Sequence, residues 1–236
     1  MKFIFKWLLR LFILAVVLIV IALLSYNSIL RLIIERNIRA QTGMDAEIGR
    51  FHLALTEPTI EIQNLKIYNS KDFGGTLFLD IPEIHVEYDR DALAHREIHL
   101  TLLRFNLGEL NIVKNELGRT NILSLGGSTG KKSNNNPPMN FKKQTGYDFK
   151  GIDVLNVSVG TMKFIDLRDQ RNDRTAKVGI QDWPLRDVKS ENDLMSLAVF
   201  VELRSNYFFS SVFGNNPKAK NVNAMEAIFR LFDLTF

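Results

Sequence analysis

Two stretches of this sequence contain residue types that could hold a phosphate or a metal ion. The first, GGSTGKKS at 126–133, resembles a phosphate-binding loop, but the glycine required five positions before Gly130 is replaced by Leu125. Asparagines and prolines follow, a composition typical of a loop and not of the helix that must come next. The spacing therefore does not predict a nucleotide site.

The second stretch places His95, Glu97 and His99 at alternating positions. On a β-strand this spacing puts three potential metal ligands on one face. The same positions lie opposite Ile98 and Leu100, so they equally fit the solvent face of a strand, where any polar side chain serves. We therefore predict neither a metal site nor a cofactor.

No residue pattern indicates an activated nucleophile or a general base. Asp166, which is set between Ile165 and Leu167, is interpreted as a structural carboxylate in a turn. The sequence does not predict an enzyme, and the functional argument rests on its hydrophobic patterning.

The longest hydrophobic run lies near the N-terminus and contains no polar residue between Leu11 and Leu24. Counted from Trp7 to Tyr26, with Arg10 near one end, it would form a helix of ~30 Å, which matches the hydrocarbon core of a bilayer. The run therefore predicts a membrane-spanning helix with these residues in the bilayer: Trp7, Leu11, Phe12, Leu14, Val17, Ile19, Ile21 and Leu24.

A cleaved signal peptide is the competing interpretation, because Lys2 and Lys6 precede the run. The run is long for a signal peptide, however, and no pair of small residues follows it as a cleavage site. The positive charges before the run place the N-terminus in the cytoplasm. The predicted location is the inner membrane of a Gram-negative-type bacterium, single-pass, with the bulk of the chain in the periplasm.

The formal net charge of +4 does not indicate nucleic-acid binding. Residues 1–40 hold six basic side chains and one acidic side chain, which leaves the rest of the chain close to neutral. A phosphate-binding surface is therefore not expected there. The chain has no cysteine, which excludes disulfides and thiolate metal sites.

Beyond the membrane the helix is predicted to continue. Leu30, Ile33, Ile34 and Ile38 follow a helical spacing, and Gly43 supplies a left-handed C-cap. This apolar face either packs on the next domain, which we favour, or lies in the membrane interface.

After Gly43 the hydrophobic period changes from 3.6 to 2, which predicts strands with one apolar face. Short connections between consecutive strands favour an antiparallel meander of roughly seven or eight strands. The phase slips at Gln63–Asn64 and again after Leu102, and Gly160 interrupts a strand. These features predict β-bulges, which bend a sheet.

The polar stretch at 126–148 is predicted to be a disordered insertion, because it cannot bury enough apolar surface to become ordered. Residues 194–204 fit either a strand or a helix; we favour the helix, since Ser190 and Asp193 resemble a capping box. The predicted fold is mainly β. A transmembrane helix with a periplasmic extension occupies 1–42, and a β module follows at 43–125. After the insertion at 126–148 the same sheet continues at 149–187, and the C-terminal segment at 188–236 is predicted to be helical, with a short helix at 223–234.

The apolar face of the predicted sheet has no obvious cover, because only short helices follow it. The sheet either closes on itself or curves into a groove that is open to an apolar ligand such as an acyl chain. The positions predicted to face this ligand are Phe51, Leu53, Leu55, Ile60, Ile62, Leu65, Ile67, Ile84, Val86, Ile98, Leu100, Leu102, Leu110, Ile112, Val157, Val159 and Phe164.

These patterns resemble those of AsmA-family proteins, well over residues 1–125 and loosely over 150–187. The resemblance consists of the N-terminal membrane helix and these positions: Gly43, Ala46, Ile48, Gly49, Leu55, Pro58, Ile60, Ile62, Leu65, Ile67, Asn69, Asp89, Leu110, Ile112, Gly118 and Asn121. The family often has Asn-Pro where this chain has Asn69–Ser70. The resemblance implies an inner-membrane anchor, a periplasmic β-groove and a role in outer-membrane biogenesis. Larger relatives, which include TamB and the chorein-type bridge proteins, are associated with carrying phospholipids along such a groove.

The predicted function is therefore the binding or handling of phospholipid acyl chains in a hydrophobic β-groove, in outer-membrane biogenesis or intermembrane lipid transport. The expected partners are the membrane, phospholipid and other envelope proteins. Eight strands at ~4.8 Å would give a groove of about 40 Å, which is too short to cross a periplasm alone. The alternative is a membrane-tethered interaction or assembly module with a closed β core and no lipid cargo, similar to the sandwich domains of LEA type 2 proteins.

Overall fold

A computed structural model of the chain describes residues 26–40, 42–54, 56–122, 146–208 and 212. The predicted membrane span up to residue 25, Leu55, nearly all of the predicted insertion and the predicted helix at 223–234 lie outside the described residues. Among the residues that are described, no helix is both long enough and apolar enough to cross a bilayer.

The described chain is mainly β, as predicted, and is built on one six-stranded sheet. The strands lie in the sheet in the order in which they occur in the chain. Their bounds are β1 Asp45–Leu53, β2 Thr59–Tyr68, β3 Leu77–Tyr88, β4 Glu97–Lys114, β5 Asp148–Asp166 and β6 Arg174–Val188.

The predicted all-antiparallel meander is wrong at one place, because β4 and β5 are parallel. Their pairing runs from Glu97 opposite Asp148 to Lys114 opposite Asp166. A parallel pair needs a connection of a dozen or more residues, and the long polar segment between these two strands provides it. The other four pairs of neighbouring strands are antiparallel.

The strands are also fewer and longer than predicted. β4 has 18 residues and β5 has 19, so the phase slips occur inside strands and do not separate them. A short helix that the sequence did not predict, α2 (Arg90–Ala94), joins β3 to β4. Asp89 caps it through hydrogen bonds from the backbone N–H groups of Asp91 and Ala92.

The irregular positions of the six strands lie side by side and form one row across the sheet, which we call the break row. Its members, in strand order, are Gly49, Asn64, Pro82, Gly108, Gly160 and Gly179, with Gly108 one residue out of register with Pro82. Asn64 and Gly179 have positive φ angles of 53° and 62°. The predicted bulge at Gly160 is confirmed, because the pairing with β6 shifts between Val159 and Thr161. The bulge predicted at Gln63–Asn64 is wrong, because Asn64 interrupts the ladder without changing the register on either side.

Residues 26–40 form helix α1, which lies along the free edge of β1. The backbone N–H of Leu53 donates to the side chain of Asn27 (3.1 Å), and that of Ile48 donates to Glu35 (2.9 Å). These contacts satisfy backbone groups that an edge strand otherwise leaves open to pairing with another chain. α1 therefore closes this edge of the sheet.

The end of α1 confirms the predicted cap. Gly43 has a φ of 69°, and its N–H donates to the carbonyl of Arg39 at 2.9 Å. Ile34 and Ile38 pack against the core, as favoured, but Ile33 points away from it and is exposed. The predicted apolar face thus divides into residues that pack on the sheet and residues that do not.

The opposite edge of the sheet, at β6, is irregular. Asp182 and Asp187 have positive φ angles, and Pro184 lacks a backbone donor. Irregular backbone and proline on an edge strand disfavour pairing with a further strand. Helix α3 (Met195–Arg204) lies beside β6, where the Arg204 side chain donates to the carbonyl of Val178 at 3.1 Å.

The favoured helix at 194–204 is confirmed by α3, and Leu194, Leu197 and Val201 are buried in the core. The Asp193 carboxylate accepts hydrogen bonds from the backbone N–H and the hydroxyl of Ser190, at 2.8 and 3.0 Å, so the two residues do interact. They lie at a 3₁₀ turn, Glu191–Leu194, and α3 itself begins after Leu194 without a side-chain cap, so the predicted capping box of this helix is wrong.

Candidate functional site

One face of the sheet carries most of the large apolar side chains, and we call it the inner face. Beyond the break row, toward the end of the sheet at Lys114 and Asp166, this face is sealed. The buried residues there include six of the predicted ligand-facing or family-like positions: Ala46, Ile48, Leu65, Ile67, Leu110 and Ile112. No apolar ligand has access to this distal half of the inner face.

On the other side of the break row the inner face is partly exposed across β1 to β4. Two neighbouring rows of half-buried apolar side chains cross these four strands, and we call them the open patch. One row comprises Leu53, Ile60, Val86 and Leu103, and the other comprises Phe51, Ile62, Ile84 and Phe105.

The open patch is continuous with the core on one side. The side chains that pack against buried residues are Phe51, Ile62, Ile84, Leu103 and Phe105, whereas the other three members of the first row do not. Across β5 and β6 the inner face is buried again, at Val157, Val159 and Phe164 among the predicted positions. The stacked rings of Trp183 on β6 and Phe200 on α3, with centroids 4.2 Å apart, show that α3 covers this part.

Leu102 is a predicted ligand-facing residue that lies on the opposite face. It is paired with Glu87 on β3, whereas Leu103 is paired with Val86. The pairing of β3 and β4 shifts by one residue between Glu87 and Tyr88, so β4 contains a bulge next to Leu102 that reverses the alternation. Ile98 and Leu100 lie before this bulge, and Leu100 packs against the core.

Leu103 and Phe105 belong to the patch although the sequence does not predict them there, even with the phase slip after Leu102. A slip fixes neither the residue at which the alternation reverses nor which of the two phases faces inward. Leu55 was also predicted to belong to this face and lies outside the described residues.

A polar cleft of about 470 Å³ lies near the start of β4 and β5, at the end of the sheet opposite to the sealed half. His99 occupies it between two carboxylates. Its Nε2 lies 2.8 Å from the carboxylate of Asp153, and its Nδ1 lies 3.5 Å from that of Asp89. Lys150 and Glu97 form a further ion pair at 3.0 Å.

The hydrogen bond to Asp153 is the main cause that raises the pKa of His99 above its ordinary value, and Asp89 adds to it against partial burial. The backbone N–H groups of Ala92 and Asp91 lower the pKa of Asp89. The arrangement therefore favours a protonated His99 between two ionised carboxylates.

His95, Glu97 and His99 all line the polar cleft, but they do not lie on one strand face. His95 caps the end of α2, with its Nδ1 2.7 Å from the carbonyl of Asp91, and β4 begins only at Glu97. Within the described part of the chain, no group of three histidine or carboxylate side chains has the arrangement of a metal site.

Two of the family-like asparagines meet in the sealed half. Asn121 is fully buried; its side-chain amide donates to Asn69 (2.8 Å) and to the carbonyl of Asn111 (2.9 Å). Its oxygen accepts from the backbone N–H of Val113 at 3.0 Å. Asn121 therefore holds the turn after β4 against the sheet, which is a structural role.

Asp166 is buried where β5 ends, and its contacts are those of a turn carboxylate. It accepts from Lys114 and from the backbone N–H of Arg168, both at 3.0 Å. Burial alone would raise the pKa of Asp166, but these hydrogen bonds outweigh it and hold the pKa below its ordinary value.

Comparison of the chain with protein-family models, with curated proteins and with solved structures finds no match.

Proposed function

We propose that this chain is a membrane-tethered, AsmA-like protein that binds a phospholipid acyl chain against the open patch. The binding would serve outer-membrane biogenesis or intermembrane lipid transport, from the periplasmic side of the inner membrane. The observation that supports the proposal is the partial exposure of two adjacent apolar rows on the same face as a fully buried core. Contiguous exposed apolar surface of this kind is typical of an interaction site.

The size of the open patch limits what it can hold. Four strands at ~4.8 Å place β1 and β4 about 14 Å apart. The sealed half beyond the break row blocks further passage along the inner face. The geometry therefore supports local binding of one acyl chain segment, and does not support a conduit that runs the length of this sheet.

The alternative, a tethered interaction module without lipid cargo, is favoured by a different surface. Val199 and Leu203 lie one turn apart on α3 and are each more than half exposed, as is Tyr207 in the turn after the helix. An exposed apolar stripe on a helix is a common protein-binding surface. In this case a protein partner would contact α3, and the open patch would remain unused.

Photocrosslinking of the full-length chain in bacterial membranes tests the acyl-chain proposal. We expect a photoreactive amino acid at Val86, in the open patch, to crosslink to phospholipid. Leu167, which is exposed at the distal end of the sheet, provides the control. Crosslinking of phospholipid at both positions or at neither would contradict the proposal. A photoreactive amino acid at Leu203 tests the alternative, which a protein crosslink there, without a phospholipid crosslink at Val86, would favour.

A charge in the open patch provides a second test. Val86→Glu should lower several-fold the amount of phospholipid that co-purifies with the detergent-solubilised chain, measured by native mass spectrometry. An ionised carboxylate there would have to lose its hydration on contact with an acyl chain. Thr101→Glu adds the same charge at an exposed position of β4 and should leave the bound phospholipid unchanged.

A further inference from the structure

The first described residue of α1, Tyr26, lies at a defined corner of the sheet. The hydroxyl of Tyr26 donates to the carbonyl of Leu53, the last residue of β1. At the other end of the helix, Arg39 pairs with Asp45, the first residue of β1, at 2.6 Å. α1 and β1 are therefore antiparallel, and a membrane span that ends at Tyr26 would bring the Leu53 end of the sheet next to the bilayer.

Large apolar side chains are exposed at this corner. On α1 the exposed fractions are 52% for Ile29, 46% for Leu32 and 48% for Ile33, and on α2 the exposed fraction of Leu93 is 40%. We call these four residues the proximal corner. Leu93 and Leu53 line the same cleft of about 380 Å³, together with Ala54, Tyr88, Arg90 and Ala94, so this cleft joins α2 to the end of β1.

The distances along α1 match the depth of a membrane interface. At 1.5 Å per residue, Ile29 lies ~4.5 Å, Leu32 ~9 Å and Ile33 ~10.5 Å beyond Tyr26 along the helix axis. The polar layer outside the hydrocarbon core is ~5–8 Å thick on each side of a bilayer. Helical side chains lean toward the N-terminus of their helix, which brings those of Ile29 and Leu32 back into this layer and places that of Ile33 at its outer boundary.

The charges at this end of the sheet distinguish its two sides. Arg90 lines the same cleft as Leu53 and Leu93, where a cation favours contact with lipid phosphates. The polar cleft near β4 and β5 is lined by five carboxylates and two lysines, so it stays negative even with His99 protonated, and an anionic surface is disfavoured there. A contact with the bilayer is thus favoured at the corner of β1 and α2 and disfavoured at the β5 side.

We propose that the proximal corner is immersed in the headgroup layer of the bilayer, so that the sheet rests on the membrane by Ile29, Leu32, Ile33 and Leu93. The partner is the phospholipid surface itself. This inference rests on the membrane-anchoring part of the proposed function and does not depend on an acyl-chain cargo. It explains why large apolar side chains are exposed where α1, β1 and α2 meet.

The natural lack of cysteine allows a direct test with the full-length chain. Single-cysteine variants Ile33→Cys and Leu93→Cys would carry an environment-sensitive fluorophore, in vesicles of phosphatidylethanolamine and phosphatidylglycerol that contain a lipid quencher near the headgroup. Leu117→Cys and Leu167→Cys label exposed positions at the distal end, and Lys189→Cys labels the side of the polar cleft. We expect quenching at 33 and 93 that is several-fold stronger than at 117, 167 and 189.

Equal quenching at all five positions would overturn the proposal. Shielding of positions 33 and 93 from an aqueous quencher, without quenching by lipid, would also overturn it in favour of a protein partner. A chain that floats with the vesicles but shows no lipid quenching at 93 overturns the corner contact alone. A chain that does not float overturns both the corner contact and the anchoring, whereas loss of crosslinking at Val86 concerns only the cargo.

Discussion

At the scale of single residues, His99 connects three separate parts of the chain. Asp89 lies before α2, His99 lies on β4 and Asp153 lies on β5, so a charged imidazole between the two carboxylates ties β4 both to its parallel neighbour and to α2. Because the pKa of His99 is raised in the folded state, the imidazolium stabilises the fold fully below the pKa of an unfolded histidine, ~6.5. This contribution is lost as the pH rises through the higher folded pKa.

The prediction is a pH-dependent loss of stability. His99→Gln should lower the melting temperature of the detergent-solubilised chain more at pH 5.5 than at pH 8.5, followed by circular dichroism. Asp153→Asn, which removes the main partner, should bring the pKa of His99 down in an NMR titration of the imidazole. Equal destabilisation by His99→Gln at both pH values would show that the ion pairs contribute nothing.

Residue-scale features were predictable where the signal is local. The αL cap at Gly43 follows from residue types a few positions apart and is confirmed. The Ser190–Asp193 contact also forms, but at the 3₁₀ turn before α3 and not as the cap of α3 itself. The placement of His95 was not predictable, because the same alternation fits a strand or a helix end. The partner of His99, Asp153, lies more than fifty residues away and is brought near only by the parallel pairing.

At the scale of elements, the break row depends on close approach between strands. Gly160 on β5 is next to Gly108 on β4, and a Cβ at Gly160 would lie 2.3 Å from the carbonyl oxygen of Gly108. A Cβ at Gly108 would meet the ring of Pro82 at 3.1 Å, a milder conflict. Gly160→Ala should therefore force the two backbones apart and destabilise the chain by about 1–3 kcal/mol.

Chemical denaturation of the detergent-solubilised chain, followed by circular dichroism, measures this effect. Gly108→Ala is the matched control, because it adds the same methyl group one strand away and should cost less than Gly160→Ala. If the two variants were equally stable, close backbone approach would not explain the glycine at 160.

The elements themselves were only partly predictable. The alternation gave strands and their apolar face, since burial on one face requires a period of two. The alternation does not distinguish one long strand that contains a bulge from two short strands, so the sequence predicts more strands than the six that the structure has. The direction of β5 was also hidden, because alternation is the same in parallel and antiparallel strands, and only the length of the preceding segment distinguishes the two.

At the scale of the whole molecule, the two ends of the sheet differ. The distal end is sealed by the core and by buried amides such as Asn121, whereas Leu53, at the other end, belongs to the open patch and lines the cleft beside Leu93 of the proximal corner. The open patch and the proximal corner thus lie at the Tyr26 end of the sheet, while Leu117 and Leu167 are exposed at the distal end. The sequence predicted an apolar lining but not this division, because the break row and the cover by α3 depend on contacts between distant segments.

The parallel pair also sets a length requirement for the whole chain. The chain leaves β4 at the distal end and enters β5 at the proximal end, so it must return along roughly 16 residues of strand, or about 50 Å at ~3.3 Å per residue. The segment between Ile122 and Gly146, which lies outside the described residues, can reach at most ~80 Å. The reach of this segment therefore exceeds the distance that it must span, but by less than a factor of two.

Deletions in this segment should show a threshold. Removal of residues 131–136 leaves a reach of ~60 Å and should leave the fold intact, whereas removal of residues 127–140 leaves only ~35 Å and should prevent β5 from pairing in parallel with β4. Circular dichroism and limited proteolysis of the detergent-solubilised chain would measure the loss of the sheet.

The control replaces residues 127–140 with glycine and serine at the original length, and it should fold like the unaltered chain, because the requirement is for length and not for sequence. A stable sheet after the longer deletion would mean that β5 does not enter at the proximal end, and the position of Asp153 beside His99 would then be wrong.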